Sequence, residues 1–199
     1  LHPPKVPYRE TIKITSQAQG KYKKQTGGHG QYGDCWLEVA PRPRGEGFAF
    51  ENRVVGGAIP RNFIPAVEKG VVEAMHEGGL SGFPVVDVSV SVYDGSYHVV
   101  DSSEMAFKIA ASMAFKKAME AGGLILLEPL MLVEIEAPTD TVGAVMGDIN
   151  ARRGRIVKRR LTPNAALGRA TLRRLDAIRP VLARHAGVRG EDPQGVLPY

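Results

Sequence analysis

A histidine, an aspartate and two serines stand close together in the stretch HVVDSSE, residues 98–104. His98, Asp101 and Ser102 are the residue types of a hydrolytic triad, in which a histidine takes the proton of a serine that attacks the substrate. Asp101 has a simpler explanation, because it can cap the helix predicted to follow, with Glu104 completing a capping box. Neither Ser102 nor Ser103 stands in the Gly-x-Ser-x-Gly turn that exposes a serine nucleophile. A hydrolytic enzyme is therefore the least favoured interpretation of these residues.

The stretch KKQTGGHGQYGD, residues 23–34, contains four glycines and is typical of a loop. Glycine lets another backbone approach closely, so the loop suits a surface that meets a large anion. A phosphate-binding P-loop needs Gly-x-x-x-x-Gly-Lys-Ser/Thr. The pair Gly20-Lys21 is followed by Tyr22 and has no glycine at the required distance upstream. The sequence therefore excludes a P-loop here.

The charge of the chain is divided unevenly. Residues 151–199 carry 12 Lys/Arg and 3 Asp/Glu, whereas residues 1–150 carry 14 and 18, so the larger part is slightly acidic. Binding to nucleic acid without specificity needs a broad basic face, which this composition does not favour. No acid stands between Glu10 and Asp34, however, and this interval contains Lys13, Lys21, Lys23 and Lys24. The field around the glycine-rich stretch is therefore positive.

The single cysteine, Cys35, excludes an internal disulfide, and one cysteine with five scattered histidines gives no zinc-ligand spacing. We expect Cys35 to be a small, half-buried strand residue beside Trp36. No run of about 18 apolar residues occurs, and the N-terminal LHPPKVPYRE lacks the features of a secretory signal. The sequence predicts a cytoplasmic protein without a membrane span.

Apolar residues alternate with polar ones on both sides of the glycine-rich stretch, which predicts a hairpin with the glycines at its tip. A strand GFAFENRVV and a helix that ends at Gly78-Gly79 follow. Val86, Val88, Val90 and Val92 then predict a strand with one apolar face, before a second helix. The apolar stripe predicted for that helix consists of Met105, Ala106, Ile109, Ala110, Met113, Ala114 and Lys116.

The loop between that last strand and the second helix contains His98. If this loop and the glycine-rich loop lie at one end of the same sheet, they form a composite tip. A compact, positively charged tip that carries Tyr32, Tyr97 and imidazoles suits RNA, which is recognised through stacking, phosphate contacts and 2′-hydroxyl contacts.

After AGGLILLEP the pattern starts again with a strand LMLVEIEAP, a helix that ends at Gly154 and a strand GRIVK. This β-α-β start predicts a second small domain, with the boundary near Glu128-Pro129. From Arg160 onward Arg, Ala, Pro and Gly dominate, and we expect this part not to pair with the sheet. A shifted reading frame and a basic tail with its own role are the two explanations for it. The predicted domains are residues 1–128, 129–160 and 161–199.

Several long blocks, in this order, resemble the C-terminal part of translation elongation factor G: its domain IV and the start of its domain V. The resemblance spans roughly residues 5–157. The blocks are KKQTGGHGQYGD, GGAIPRNFIPAVEKG, LSGFPVVDVSVSVYDGSYHVVDSSEMAFKIAASMAFKKAM, LLEP and GDINARRGRI. The family implies an α+β sandwich in which two helices cover a β-sheet, with an unusual left-handed β-α-β crossover. An incomplete ferredoxin-like domain follows.

In this family, domain IV enters the decoding region of the small ribosomal subunit, and its tip loops meet the codon–anticodon duplex and rRNA. By resemblance, the RNA-contacting residues are Lys24, Gln25, Thr26, Gly27, Gly28, His29, Gly30, Gln31, Tyr32, Gly95, Ser96, Tyr97 and His98. Gly33 also falls in the family's first tip loop. Glycines fit such a loop because little side-chain bulk lets it press between RNA strands. Two positions depart from the family pattern: His29 stands where Arg is common, and Val99 stands where an acid commonly follows the tip histidine.

The implied partners are the ribosome, its rRNA and the mRNA–tRNA duplex, with no DNA, no membrane and a monomeric chain. The resemblance implies no cofactor in this chain and no enzyme activity of its own. GTP and magnesium belong to an N-terminal GTPase domain that this sequence does not contain. Two alternatives stay open: a free-standing RNA-binding module, and part of a ribosomal-protection or release-type GTPase.

Overall fold

The computed structural model describes residues 8–25, 30–79, 81–128, 131–137, 139–151, 154–161 and 166–172. The chain divides into two compact units, the first spanning Tyr8–Leu127 and the second containing the residues described from 128 to 172. Within the described parts of the chain, no helix has the length and apolar content needed to cross a membrane.

The described residues of the first unit form six strands and two α-helices. The strands are β1 Arg9–Ile12, β2 Ser16–Lys24, β3 Gln31–Pro41, β4 Phe48–Asn52, β5 Val88–Ser96 and β6 Leu124–Leu127. The helices are α1 Ile64–Glu77, preceded by a 3-10 turn Arg61–Phe63, and α2 Glu104–Ala121. This mixed α/β composition is the predicted fold class.

Four strands form the main sheet in the order β2-β3-β5-β4. The predicted hairpin is present: β2 and β3 are antiparallel, with Lys24 opposite Gln31, so residues 25–30 connect them. β5 is antiparallel to β3 and parallel to β4. The unit β4-α1-β5 is the crossover that the family resemblance expects to be left-handed, and its hand stays a prediction. β1 and β6 pair as a separate two-stranded sheet.

Helix α2 packs directly on β2 and β3, and glycines make this possible. A Cβ added at Gly33 would lie 2.5 Å from the backbone carbonyl of Ala106, and one at Gly20 would overlap the carbonyl oxygen of Ala110. The side chains that α2 buries are Ala106, Phe107, Ala110, Ala111, Ala114, Phe115, Ala118 and Met119. The predicted stripe was therefore wrong in part, because Met105 and Met113 are exposed and two phenylalanines were missed.

The strand predicted from Val86 begins two residues later, at Val88. Asp87 interrupts it with a φ of 55° and is buried, while its carboxylate accepts the Gly47 N–H at 2.9 Å. Val85, rather than Val86, is buried before this break. A single left-handed residue therefore shifts which side chains face the core.

The core lies between the sheet and the two helices, where the inward residues Leu37, Val39, Val88, Val90 and Val92 are fully buried. Cys35 belongs to this face and is also fully buried, not half-buried as expected. Burial, together with the negative charge of Asp34, raises the pKa of the Cys35 thiol to about 12. Cys35 is therefore a protonated core residue at neutral pH.

The second unit is built from β7 Met131–Ala137, α3 Val142–Ala151, β8 Arg155–Leu161 and β9 Ala166–Leu172. β9 lies between the other two strands and is antiparallel to both. This β-α-β-β arrangement is the split β-α-β pattern of ferredoxin-like domains. The prediction that residues from Arg160 onward do not join the sheet is wrong as far as Leu172. β8 and β9 pair antiparallel, with Leu161 opposite Ala166.

Candidate nucleic-acid interface

Two loops meet at one end of the main sheet. The glycine loop, residues 25–30, connects β2 to β3, and the His98 loop, residues 97–103, connects β5 to α2. Because β3 and β5 are antiparallel, with Asp34 opposite Ser96, the start of β3 and the end of β5 lie side by side. The topology therefore brings the described ends of both loops together.

Asp101 joins the two loops through hydrogen bonds. Its carboxylate Oδ1 accepts the Gly30 N–H at 2.9 Å, and its backbone carbonyl accepts the Tyr32 N–H at 2.8 Å. Its Oδ2 lies 3.3 Å from Nδ1 of His98. One residue thus contacts the glycine loop, the start of β3 and the predicted tip histidine.

Tyr32 is fixed by a chain of polar contacts that leads into the sheet. Its phenol oxygen lies 2.7 Å from Oγ of Ser96, which donates to the buried Asp34 carboxylate at 2.7 Å. Gln19 donates to the other oxygen of Asp34 at 2.8 Å. The Lys21 ammonium lies 5.5 Å from the centroid of the Tyr32 ring. Tyr32 is therefore held from within the protein and supports the tip.

The outermost described part of the tip is the turn of the His98 loop. The side chain of His98 is 57% exposed, and Tyr97, Val99 and Val100 are 46%, 86% and 63% exposed. The His98 ring centroid lies 6.5 Å from that of Tyr32. The surface offered to solvent is therefore an aromatic and apolar edge around one imidazole.

These contacts do not form a hydrolytic triad. His98 and Asp101 are in contact, but Oγ of Ser102 accepts the backbone N–H of His98 at 2.9 Å. Oγ of Ser103 accepts the Ala106 N–H at 3.2 Å and caps α2. The prediction that Asp101 caps this helix is therefore wrong. The chain turns toward Gly30 at Asp101, and the helix is capped two residues later, at Ser103.

The other predicted site residues divide into three groups. Lys24, Gln25 and Gln31 are exposed beside the loop. Gly95 and Gly33 are packing positions, because a Cβ at Gly95 would overlap Ile59 and the Asp34 carbonyl, and Gly33 lies beneath α2. Thr26, Gly27, Gly28 and His29 lie outside the described residues.

A third connection, residues 53–60 between β4 and the turn before α1, was missed at the sequence level. β4 is parallel to β5 and runs toward the same end of the sheet, and Ile59 lies against Gly95. Gly56 and Gly57 both have positive φ, and Val55 is 79% exposed. The signal was the Gly-Gly pair directly after a predicted strand.

The described residues contain no group of three His, Cys, Asp or Glu side chains placed to hold a metal ion.

Comparison with known families identifies the two parts of the chain. The family model for elongation factor G, domain IV, matches residues 4–123, and that for the elongation factor G C-terminus matches residues 125–171. The second match extends past Val157 and covers nearly all of β9, which the sequence pattern had assigned to the tail.

A crystal structure of a protein from Thermus thermophilus is similar to this chain, with a TM-score of 0.82 and 44% sequence identity. The similarity covers 96% of this chain and 30% of the Thermus chain, so this chain spans about 30% of that protein's length. The chain belongs to the elongation factor G family of translation factors, of which it carries domain IV and residues of the C-terminal domain.

Proposed function

We propose that this chain is the RNA-contacting part of a ribosomal translocase. In this proposal the tip contacts the mRNA–tRNA duplex and rRNA in the decoding region and promotes their movement. The observation that carries the proposal is the composite tip: an exposed His98 on a turn held against the glycine loop, at the end of the sheet where β2 carries its lysines. Family membership supports the same role.

The chemistry of the tip fits RNA. Tyr97 and His98 present ring faces on which unpaired bases can stack, and Val99 adds apolar contact. Lys21, Lys23 and Lys24 are exposed on the adjacent strand, where they can reach phosphates. RNA contact through stacking with a few cations does not need a broad basic face, so the acidic balance of residues 1–150 is compatible with it.

GTP binding and hydrolysis belong, in this proposal, to an N-terminal domain of the parent factor together with magnesium. The chain itself acts as a monomer in the cytoplasm, without a cofactor. We expect the isolated chain not to bind a labelled GTP analogue at micromolar concentration, and stoichiometric binding would contradict this part of the proposal.

The proposal is tested in a full-length factor that carries this chain. His98→Ala should slow translocation about tenfold, the size expected from losing one stacking contact, while GTP hydrolysis on the ribosome is unchanged. His76→Ala is the matched control, because His76 is also exposed but lies in the last turn of α1. Equal translocation rates for the two variants would refute the assignment of His98.

A further inference from the structure

Asp101 makes more contacts across the tip than the sequence suggested for it. It reaches Gly30 and Tyr32 from one side and His98 from the other, through three different oxygens. Its side chain is 29% exposed, so the carboxylate stands at the seam between the loops and not on the outer edge. A charged acceptor of this kind makes stronger hydrogen bonds than a neutral one.

The space beside the Gly30 Cα is occupied by the Asp101 side chain. A Cβ added at Gly30 would lie 2.9 Å from both Cγ and Oδ2 of Asp101, closer than unbonded atoms tolerate. The φ of Gly30 is outside the left-handed region, so the backbone itself would accept alanine. A side chain at Gly30 therefore requires the Asp101 carboxylate to move from its position in the structure.

We propose that Asp101 is a positioning residue, which locks Gly30 and the start of β3 to the His98 loop and so sets the shape of the described part of the tip before RNA arrives. Its consequence at the ribosome rests on the proposed function, whereas the lock itself does not. A preformed tip contributes to binding because less conformational freedom is lost on contact.

The lock is tested on this chain by amide hydrogen exchange at Gly30. Asp101→Ala should make this amide exchange about tenfold faster or more, since a hydrogen bond to a charged acceptor is lost. Asp101→Asn, which keeps the size and one oxygen acceptor, should restore most of the protection. Asp94→Ala is the matched control, because the Asp94 carboxylate accepts its own neighbour's N–H, that of Gly95. Unchanged exchange at Gly30 in Asp101→Ala would overturn the proposal.

A double-mutant cycle guards against a general loss of structure. Gly30→Ala should accelerate exchange at the Tyr32 amide in the wild-type background, because the new Cβ displaces Asp101, whose backbone carbonyl accepts the Tyr32 N–H. In the Asp101→Ala background the same change should alter exchange less than about twofold, because its obstacle is gone. Equal effects in both backgrounds would show that Gly30 and Asp101 act independently. They would refute the claim that a side chain at position 30 collides with the Asp101 carboxylate.

The ribosomal consequence is measured separately in the full-length factor. Asp101→Ala should slow translocation without changing GTP hydrolysis, and Asp101→Asn should recover most of the rate. Faster exchange at Gly30 with an unchanged translocation rate in Asp101→Ala would refute the ribosomal role of the lock but not the lock itself. If His98→Ala also left the translocation rate unchanged, the proposed function would fail with it.

Discussion

Two glycines three positions apart meet different kinds of neighbour. Gly33 faces the backbone of Ala106 beneath α2, whereas Gly30 faces the side chain of Asp101 at the tip. The Ala106 backbone cannot move without shifting helix α2, whereas the Asp101 carboxylate can rotate. The glycine-rich stretch is therefore not one functional unit: its last glycine belongs to the packing of the unit, and Gly30 belongs to the tip.

The largest expected effect concerns Cys35, whose thiol lies in the packed region and not at the tip. It is fully buried on β3, so alkylation at pH 8 should proceed only through unfolding, at least about a thousandfold more slowly than in urea. Rapid labelling of the native chain would mean that the helix-covered face opens locally.

The same thiol predicts an alkaline loss of stability. Its folded pKa of about 12 exceeds the ordinary value of 9.0, so the stabilisation is complete below pH 9 and is lost as the pH rises toward 12. The urea midpoint should fall between pH 9 and pH 11, and Cys35→Ala should reduce this fall. An identical fall in the variant would show that other groups cause it.

Gly33→Ala tests the close packing of β3 against the backbone of α2. The new Cβ must push α2 away from the sheet, which should lower the free energy of unfolding by about 1–3 kcal/mol. Gly147→Ala is the control, since a Cβ there meets nothing within 4 Å and the residue lies inside α3. Urea unfolding of both variants measures the difference, and an unaltered midpoint in Gly33→Ala would contradict the close packing of α2.

Tyr32→Phe tests the polar support of the tip. Removing the phenol oxygen ends the contact with Ser96, while Ser96 keeps its bond to Asp34, so the expected loss is only about 0.5–1.5 kcal/mol. Tyr97→Phe should leave the unfolding midpoint unchanged, because Tyr97 is 46% exposed. A larger loss for Tyr97→Phe than for Tyr32→Phe would reverse the roles assigned to the two tyrosines.

Much of the first unit follows from local patterns. Alternation predicted the β2–β3 hairpin, and the sequence also predicted α1 with its end at Gly78. Cap choice and helix orientation did not follow, because Asp101 and Ser103 are equally good caps until the path of the chain is known. Phe107 and Phe115 were missed for a similar reason, since several stripes of α2 are apolar enough to face the sheet.

β9 was missed because its sequence, ALGRATL, has little β-branched or aromatic content. β9 pairs with β7 on one side and β8 on the other, and these partners, which decide its conformation, cannot be read from the residues of β9 alone. The same holds for the tip: residue types suggested that two loops could meet, but the contacts of Asp101 depend on backbone positions 71 residues apart.

The most direct test of the central claim is to map which RNA lies beside the tip. The experiment uses a full-length factor from which all cysteines outside this chain have been removed. Cys35 is buried and does not react, so an iron chelate can be attached specifically at Tyr97→Cys. The control carries the chelate at the exposed Glu68→Cys on α1. Hydroxyl radicals released on the ribosome should cleave small-subunit rRNA of the decoding region from position 97 and not from position 68. Absence of decoding-region cleavage from position 97, or equal cleavage from both positions, would contradict the account.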